Sequence, residues 1–451
     1  RRLVQKNKPM TGNRTALKFF IRTFGCQMNE SDSERIVGLL DRAGIQKTDR
    51  AEDADFLIVN TCAVREKSEE KLYSYLGRLA QLRKRRTIRI AVVGCVAQLR
   101  GGELLKRRPG IDLVLGPDNS QEIVGWALGR AGEKCVSTAW SQEWHEISPD
   151  LIFRESAVSA YVTVMEGCNN FCAYCVVPFT RGREKYRPLR TILEEIRILA
   201  DRGFKEIQLL GQNVNRYRDP ESGQGFISLL REAAAAADGI EWIRFLTSHP
   251  RYFSTDIANA MSEIEKVCRQ LHLPLQSGST SVLKRMRRGY TKDNYLDKIV
   301  TLRRLMPEIS LSTDIIVGFP GETHRDFEET LDVLKWVGFA NIFSFRYSPR
   351  PVTRAAGFAD DVPPGEKKRR LEEVQRLQKD IQLRYHGRLV GRVKRVLCTG
   401  TGKRTPLLYS GRDEGNLVVN FHSAEDCIGR FADVRITGFG AYSLRGEHIQ
   451  S

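Results

Sequence analysis

Apolar runs of strand length alternate with helical stretches through most of the 451-residue chain, and this alternation restricts the fold more than any other feature. Up to about Trp140 the strand-like runs are Leu17–Arg22, Phe56–Val59 and Ile88–Val93, interleaved with helical patterns at Glu34–Ala43, Glu66–Leu82 and Gly102–Arg107. Such βαβαβ order predicts an open parallel α/β sheet with right-handed crossovers. Trp140–Glu155, with its Ser, Pro, Asp and Trp, breaks the rhythm and reads as a linker. Six further strand runs follow: Ala160–Met165, Glu206–Leu210, Trp242–Leu246, Leu271–Leu275, Ile309–Val317 and Ile342–Tyr347. They predict a partial (β/α)6 barrel, an open version of the eight-fold one. A charged helix from Pro364 to about Tyr385 leads out of it. After Gly387, short strands at Val390–Leu397, Leu407–Tyr409, Asn416–Phe421, Ala432–Phe439 and Tyr442–Leu444 predict a small antiparallel β-barrel of the oligonucleotide-binding kind. The expected domains are residues 16–140, 154–387 and 388–451.

Charge narrows the choice of partner. The net charge is +17, and it is spread over the whole sequence: +7 for Arg1–Asp150, +6 for Leu151–Gly387 and +4 for Arg388–Ser451. A polyanion that touches several domains at once, such as a structured RNA, fits this distribution; a basic but merely solvated surface is the plainer reading. With 41% hydrophobic and 28% charged residues the composition is globular, and no apolar run approaches the length needed to cross a bilayer. Together with a basic, polar start lacking an apolar signal core, this leads us to expect a cytoplasmic protein.

Six of the ten cysteines fall into two sets. Cys168-Asn-Asn-Phe-Cys172-Ala-Tyr-Cys175 places three thiols in eight residues directly after a strand. Three thiolates converging on an iron–sulfur cluster leave one iron without a protein ligand, where a four-cysteine site would leave none. A zinc site completed by a distant His or Cys is the alternative. Cys26, Cys62 and Cys95 each follow an apolar strand run, and in an open parallel sheet the carboxyl ends of strands share one edge, where ligands bind. Any one of them alone would read as a small buried hydrophobe. Three at equivalent strand ends point to a second open cluster. Cys135, Cys268, Cys398 and Cys427 have no such context and read as core or free thiols.

The Cys168/Cys172/Cys175 loop resembles the signature of the radical S-adenosylmethionine (SAM) enzymes, and with Cys26, Cys62 and Cys95 the chain is similar to the methylthiotransferases over nearly its whole length. Val177-Pro-Phe-Thr-Arg-Gly-Arg-Glu184, Thr247-Ser-His-Pro250, Leu273-Pro-Leu-Gln-Ser-Gly-Ser279, Gly318-Phe-Pro-Gly-Glu-Thr323 and Val418-Val-Asn-Phe421 resemble the branch acting on isopentenylated adenosine in tRNA. Lys185-Tyr186 departs from that branch, which usually carries a smaller residue before the Arg matched by Arg187.

The resemblance implies a methylthiotransferase domain, a radical SAM domain and a C-terminal TRAM domain. It also implies two [4Fe–4S] clusters, with SAM serving both as methyl donor and as radical source. Breaking the C–H bond of an adenine ring carbon lies beyond any side-chain base, so the cofactor carries that step and the protein binds, orients and excludes. Tyr174, Gln212, Asn213, Ser248, Gln276 and Asp314, at or near the rim where a barrel keeps its site, are the candidates for contact with SAM. For RNA the candidates are Arg181, Arg183 and Arg187, with Lys403, Arg404 and Arg412 in the terminal barrel. The basic runs Arg83–Arg86 and Lys284–Arg288 are candidates too, although helical charge runs are often only solvated faces, and Arg83–Arg86 ranks below Arg181, Arg183 and the terminal barrel.

The implied substrate is N6-isopentenyladenosine beside the anticodon, at carbon 2, and the implied partners are the tRNA anticodon stem-loop, a sulfur source and an electron donor such as flavodoxin or ferredoxin. Methylthiolation of threonylcarbamoyladenosine, or of an aspartate in a ribosomal protein, remains open at this point. So does a non-catalytic iron–sulfur RNA-binding protein.

Overall fold

The computed structural model describes residues 17–64, 66–108, 110–130, 134–402 and 407–449. Lys403 and Arg404, and residue 16 at the expected start of the first domain, lie outside them. The chain forms two compact units. One runs to Gly25 and includes Asp32–Ala139 and Leu151–Phe153; the other takes in Cys26–Ser31, Trp140–Asp150 and everything from Arg154 on.

The first unit is built on six parallel strands: β1 (Lys18–Phe24), β2 (Gln46–Lys47), β3 (Phe56–Thr61), β4 (Arg89–Gly94), β5 (Leu113–Leu115) and β6 (Cys135–Ser137). Their order in the sheet is β2-β1-β3-β4-β5-β6. All six residues of β3 are buried, as its continuous apolar run requires of a central parallel strand. Register matters most at the carboxyl edge: Phe24 pairs with Thr61, and Thr61 with Gly94, so β1, β3 and β4 end level. Phe19, Ile58, Ala91, Val93 and Leu115 pack with Ile36, Leu40 and Trp126 as the core of this unit.

In the second unit six parallel strands form two triplets. β7 (Ser159–Thr163), β10 (Glu206–Leu210) and β11 (Trp242–Phe245) make one; β12 (Gln270–His272), β13 (Ser310–Val317) and β14 (Asn341–Arg346) make the other. A single parallel bridge, Ile243 to Val267, lies between β11 and the start of β12. The small hairpin β8 (Met165–Glu166) and β9 (Lys185–Tyr186) brackets the cysteine loop. Helices Leu189–Asp201, Phe226–Ala236, Thr255–Glu263, Lys292–Leu305, His324–Val337 and Pro364–Gly387 cover the outside. Two of them open with capping boxes, Thr291/Asn294 and Thr323/Asp326, which satisfy the first amides of each helix.

β15 (Val393–Thr401), β16 (Leu408–Asp413), β17 (Val418–His422), β18 (Phe431–Phe439) and β19 (Leu444–His448) close a barrel in the order β15-β16-β17-β19-β18. It is not wholly antiparallel: β17 and β19 pair in parallel. This barrel docks on the amino ends of the radical-domain strands. Arg244, wholly buried, pairs with Glu206 at 2.6 Å and donates to the carbonyls of Asp413 (2.8 Å) and Glu414 (2.6 Å). Trp242 packs edge-on against Phe431.

The expected linker is held rather than loose. Its Glu146 pairs with Arg187 at 2.6 Å, and Arg154 donates to the Tyr161 carbonyl at 2.8 Å. Among the described residues no helix is long and apolar enough to cross a membrane.

Candidate functional site

The cysteine loop leaves the hairpin at Gly167, whose φ of +78° and position against the Arg183 carbonyl leave no room for a side chain. A Cβ there would lie 2.0 Å from that oxygen. The loop is then tied down along its length. Cys168 N–H donates to the Gly182 carbonyl (3.1 Å), Asn169 N–H to Glu184 (3.1 Å), and Ala173 N–H to the Met286 carbonyl (2.9 Å). Gln212, put forward for SAM, accepts from Gly167 N–H through Oε1 and so holds the start of the loop. Phe171 adopts a left-handed φ of 46°, which carries the chain from Cys168 round to Cys172.

Burial pushes the Cys168 thiol up to about 11, with Cys172 and Glu184 adding to it and the Asn170 hydrogen bonds opposing. Burial, then Cys172, pushes Cys175 up to about 12. The three thiols are thus electrostatic neighbours in a poorly solvated loop, where ionisation needs a compensating positive charge. Among the described residues, no three Cys, His, Asp or Glu side chains are already drawn into a metal-binding group.

Around this loop, at the carboxyl ends of the strands, polar atoms are buried with no partner: both amide atoms of Asn213 after β10, Ser248 Oγ and His249 Nε2 after β11, and Gln276 Oε1 after β12. Each unsatisfied buried group costs about 1–3 kcal/mol, so several at one rim mark a place where a polar ligand completes the set. Thr247 (φ 70°) and Gln276 (φ 75°) hold left-handed backbone at two of these strand ends, a strain that collects at functional sites. A zwitterionic nucleoside such as SAM, with amino, carboxylate and ribose groups, fits this lining, and three thiols on one loop fit a cluster with an iron left for it.

Tyr174 lies half-buried beside the cluster of Ala173, Val282, Met286 and Phe319. Asp314, half-buried on β13, faces His272 Nε2 at 3.4 Å. His249 was not singled out in the sequence, although its motif was. Burial, followed by Arg288, Arg251 and Arg216, lowers its pKa to about 2. Because Nδ1 accepts from Arg251 N–H (3.1 Å), the proton of the neutral ring sits on the unpartnered Nε2.

In the second set Cys62 follows β3 directly, Cys95 follows Gly94 at the end of β4, and Cys26 lies two residues past β1. Cys62 and Cys95 are 2% and 3% exposed, and Cys26 is half-buried. Gly94, at φ 91°, turns the chain from strand into the helix Cys95–Arg100.

Of the RNA candidates Arg181, Arg183, Arg187 and Arg412 the structure buries two and exposes two. Arg187 is 3% exposed and bound by Glu195 and Glu146, so its guanidinium is committed to holding the fold. Arg181 is equally buried. Arg183 is exposed and lies 5.9 Å over the Phe171 ring, and Arg412 is exposed on β16. Arg83 makes a bidentate pair with Asp112 at 2.9 and 3.0 Å, which accounts for it structurally. Arg288, the end of the basic run Lys284–Arg288, is buried beneath the cysteine loop.

Three family models match in succession: Uncharacterized protein family UPF0004 over residues 18–116, the Radical SAM superfamily over 162–334 and the TRAM domain over 387–449. Among solved structures, the radical SAM methyltransferase TsrM from Kitasatospora setae, with cobalamin and a [4Fe–4S] cluster bound, superposes with a TM-score of 0.56 at 14% identity. It covers 88% of this chain and 77% of its own. The cobalamin-dependent SAM radical enzyme OxsB, with aqua-cobalamin and SAM bound, gives 0.51 at 10% identity, covering 81% of this chain and 56% of its own. These two share the fold. The tRNA-2-methylthio-N(6)-dimethylallyladenosine synthase of Geobacter metallireducens is 46% identical over 97% of this chain and 99% of its own. That of Syntrophotalea carbinolica is 42% identical over 96% and 99%. Identity at this level over almost the full length, across all three matched domains, places the chain in the family of the tRNA-2-methylthio-N(6)-dimethylallyladenosine synthases within the radical SAM superfamily.

Proposed function

We propose that the protein transfers a methylthio group to carbon 2 of N6-isopentenyladenosine next to the anticodon of tRNA, using two three-cysteine iron–sulfur sites with different tasks. The observation that carries this reading is the rim of unpartnered buried atoms, Asn213, Ser248, His249 and Gln276, around a fixed loop of three thiols. When bound, a [4Fe–4S] cluster on Cys168, Cys172 and Cys175 supplies reductive cleavage of SAM to a hydrogen-abstracting radical, and one on Cys26, Cys62 and Cys95 supplies a carrier iron for the methylthio sulfur.

The chain's own residues do the binding and orienting. Gln212, through the Gly167 amide, and Glu184, through Asn169, hold the loop so that its thiols keep one geometry. Ser248 and Gln276 offer acceptors to the SAM amino group, while Asn213 Nδ2 and the neutral His249 Nε2–H offer donors to carboxylate or ribose oxygens. Tyr174 gives an aromatic wall, and Asp314, on the face of β13 that carries His272's partner Ser312, offers a carboxylate to a hydroxyl. Apolar walls and buried backbone keep water from the reacting centre, where it would quench a radical. Arg183 and Arg412 meet phosphate, which positions the anticodon stem-loop; reading of the base itself requires that it be splayed out of its stack. A sulfur source and a low-potential electron donor of the flavodoxin or ferredoxin kind complete the turnover.

The test is substrate choice. Reconstituted protein, supplied with SAM and a reductant, is offered tRNA bearing isopentenyladenosine, threonylcarbamoyladenosine or unmodified adenosine at the same position, and the digested nucleosides are analysed. Methylthiolation confined to the isopentenylated tRNA is expected; product on the threonylcarbamoyl tRNA alone would overturn the assignment.

A further inference from the structure

Arg288 is a buried cation with no acid to balance it among the described residues. The residue is 5% exposed. Nε donates to Tyr290 OH (3.0 Å), Nη2 to the Pro274 carbonyl (2.9 Å), and Nη1 to Tyr174 OH and to Cys172 Sγ (both 3.4 Å). Among the described residues no carboxylate lies within ion-pair distance of it. Several other arginines with buried side chains do have an acid beside them: Arg187 and Arg154 share Glu195, Arg244 has Glu206, and Arg370 has Glu322. A guanidinium does not give up its proton, and a lone buried cation costs several kcal/mol unless an anion sits beside it. Among its described partners, burial favours the protonated form of Tyr174 and Tyr290, which leaves the sulfur of Cys172, as a cluster ligand, to carry negative charge.

The guanidinium is also well fixed. Arg288 ends the turn after the helix Thr280–Arg285, and residue Arg287 before it holds a left-handed φ of 58°, which turns the chain inward. Met286, two residues earlier, accepts from Ala173 N–H through its carbonyl, so the same turn grips the cysteine loop between Cys172 and Tyr174. Charge and loop are therefore held by one segment.

We propose that Arg288 is a positioning residue that sets the reduction potential of the cluster on Cys168, Cys172 and Cys175, its fixed positive charge favouring the reduced form. This rests on the reading above that these thiols carry a cluster. The step concerned is the transfer of one electron from an external low-potential donor to that cluster. Its charge becomes more negative by one unit, no bond is made or broken in the protein, and no proton is taken up. A buried cation in hydrogen-bond contact with a ligand sulfur stabilises the added charge directly, because the surrounding dielectric is low.

The inference makes opposite demands on the two forms of the protein. Without the cluster, Arg288 is a buried charge lacking its counter-ion, so removing it should leave thermal stability unchanged or improved. With the cluster, removing it should weaken retention of iron and lower the potential. A merely structural arginine would give a loss of stability in both forms.

The experiment uses full-length protein in which Cys26, Cys62 and Cys95 are replaced by Ala, so that one iron–sulfur signal remains. Arg288→Met, Arg288→Gln and Arg288→Lys are compared with that parent by EPR-monitored redox titration, by SAM binding and by melting of the apo and loaded forms. At a fixed potential, Met and Gln should each shift the reduced-to-oxidised ratio at least tenfold towards oxidised, about 59 mV for one electron. Lys, which keeps the charge, should stay within about threefold of the parent, converted on the same scale. Gln retains a donor for the Pro274 carbonyl and so guards against a failure of folding in Met. Potentials unmoved by Met and Gln, or weakened SAM binding at an unchanged potential, would overturn the inference. A parent that holds no iron while the unsubstituted chain does would instead refute the two-cluster reading.

Discussion

At the scale of single residues, this site gathers several polar groups buried without partners at neighbouring strand ends. Substituting such a group should not behave like substituting an ordinary buried hydrogen-bonding residue. Ser248→Ala and Gln276→Ala are expected to leave the melting temperature of the SAM-free protein unchanged or slightly higher, because each removes an unsatisfied atom, while weakening SAM binding by roughly tenfold, about 1.4 kcal/mol. Calorimetry and SAM titration check both halves; a destabilised apo protein with normal SAM binding would contradict the assignment.

Glu195 gives the opposite behaviour. It lies between Arg187 and Arg154 and is 1% exposed. Burial alone would raise its pKa, but the two guanidinium groups more than offset this and hold it below the usual glutamate range. A lowered folded-state pKa means that its stabilisation is full above the ordinary value and is lost as pH falls through the lowered one. Glu195→Gln should therefore cost about 3–5 kcal/mol in denaturant unfolding near neutral pH, and the gap from wild type should narrow in acid. A gap independent of pH would contradict the pairing.

Strand ends are where an α/β fold places its ligands, and on that ground the sequence offers Asn213, Ser248 and Gln276 as candidates. It could not tell Arg187 and Arg288 from surface bases. A basic residue in a charged run looks the same whether it faces water or a glutamate far along the chain, and only packing decides.

At the scale of elements, runs with a clear apolar pattern were legible, and several strands of two or three residues were not. The helix Gly102–Arg107 and the strand β10 (Glu206–Leu210) fall where the pattern placed them. The strands β2, β5, β6, β8 and β9 have two or three residues each, too few to show a period. The parallel pairing of β17 with β19 depends on the route of the intervening chain, which local pattern does not encode.

The cysteine loop depends on one glycine in a way the motif alone does not reveal. Gly167→Ala combines a disfavoured φ of +78° with an overlap at the Arg183 carbonyl. It should displace the loop from Arg181–Arg183 and strip iron from this site while sparing the site on Cys26, Cys62 and Cys95. Iron analysis checks it, and a full complement of iron in the variant would show that the loop has slack the geometry does not suggest.

At the scale of the whole molecule, the spread of positive charge fits an RNA that meets more than one part of the chain. The terminal barrel is nonetheless also structural, since Arg244 loses two carbonyl partners and Trp242 its cover if residues after Gly387 are removed. Truncation would confuse binding with folding, and point substitutions are cleaner. Arg183→Ala should weaken tRNA binding and reduce the logarithmic salt slope by about 0.7–0.9, the share of one phosphate contact. An unchanged slope would remove Arg183 from the phosphate-facing surface.

The central claim is the proposed division of labour between two cysteine sets, which were legible in the sequence as sets because both follow strands. The most direct measurement follows 5′-deoxyadenosine and methylthiolated nucleoside together in the variant with Cys26, Cys62 and Cys95 all replaced by Ala, supplied with SAM, reductant and isopentenylated tRNA. The account predicts continued reductive cleavage of SAM with no methylthio product. Formation of that product at the wild-type rate would contradict it and make the three strand-end cysteines structural.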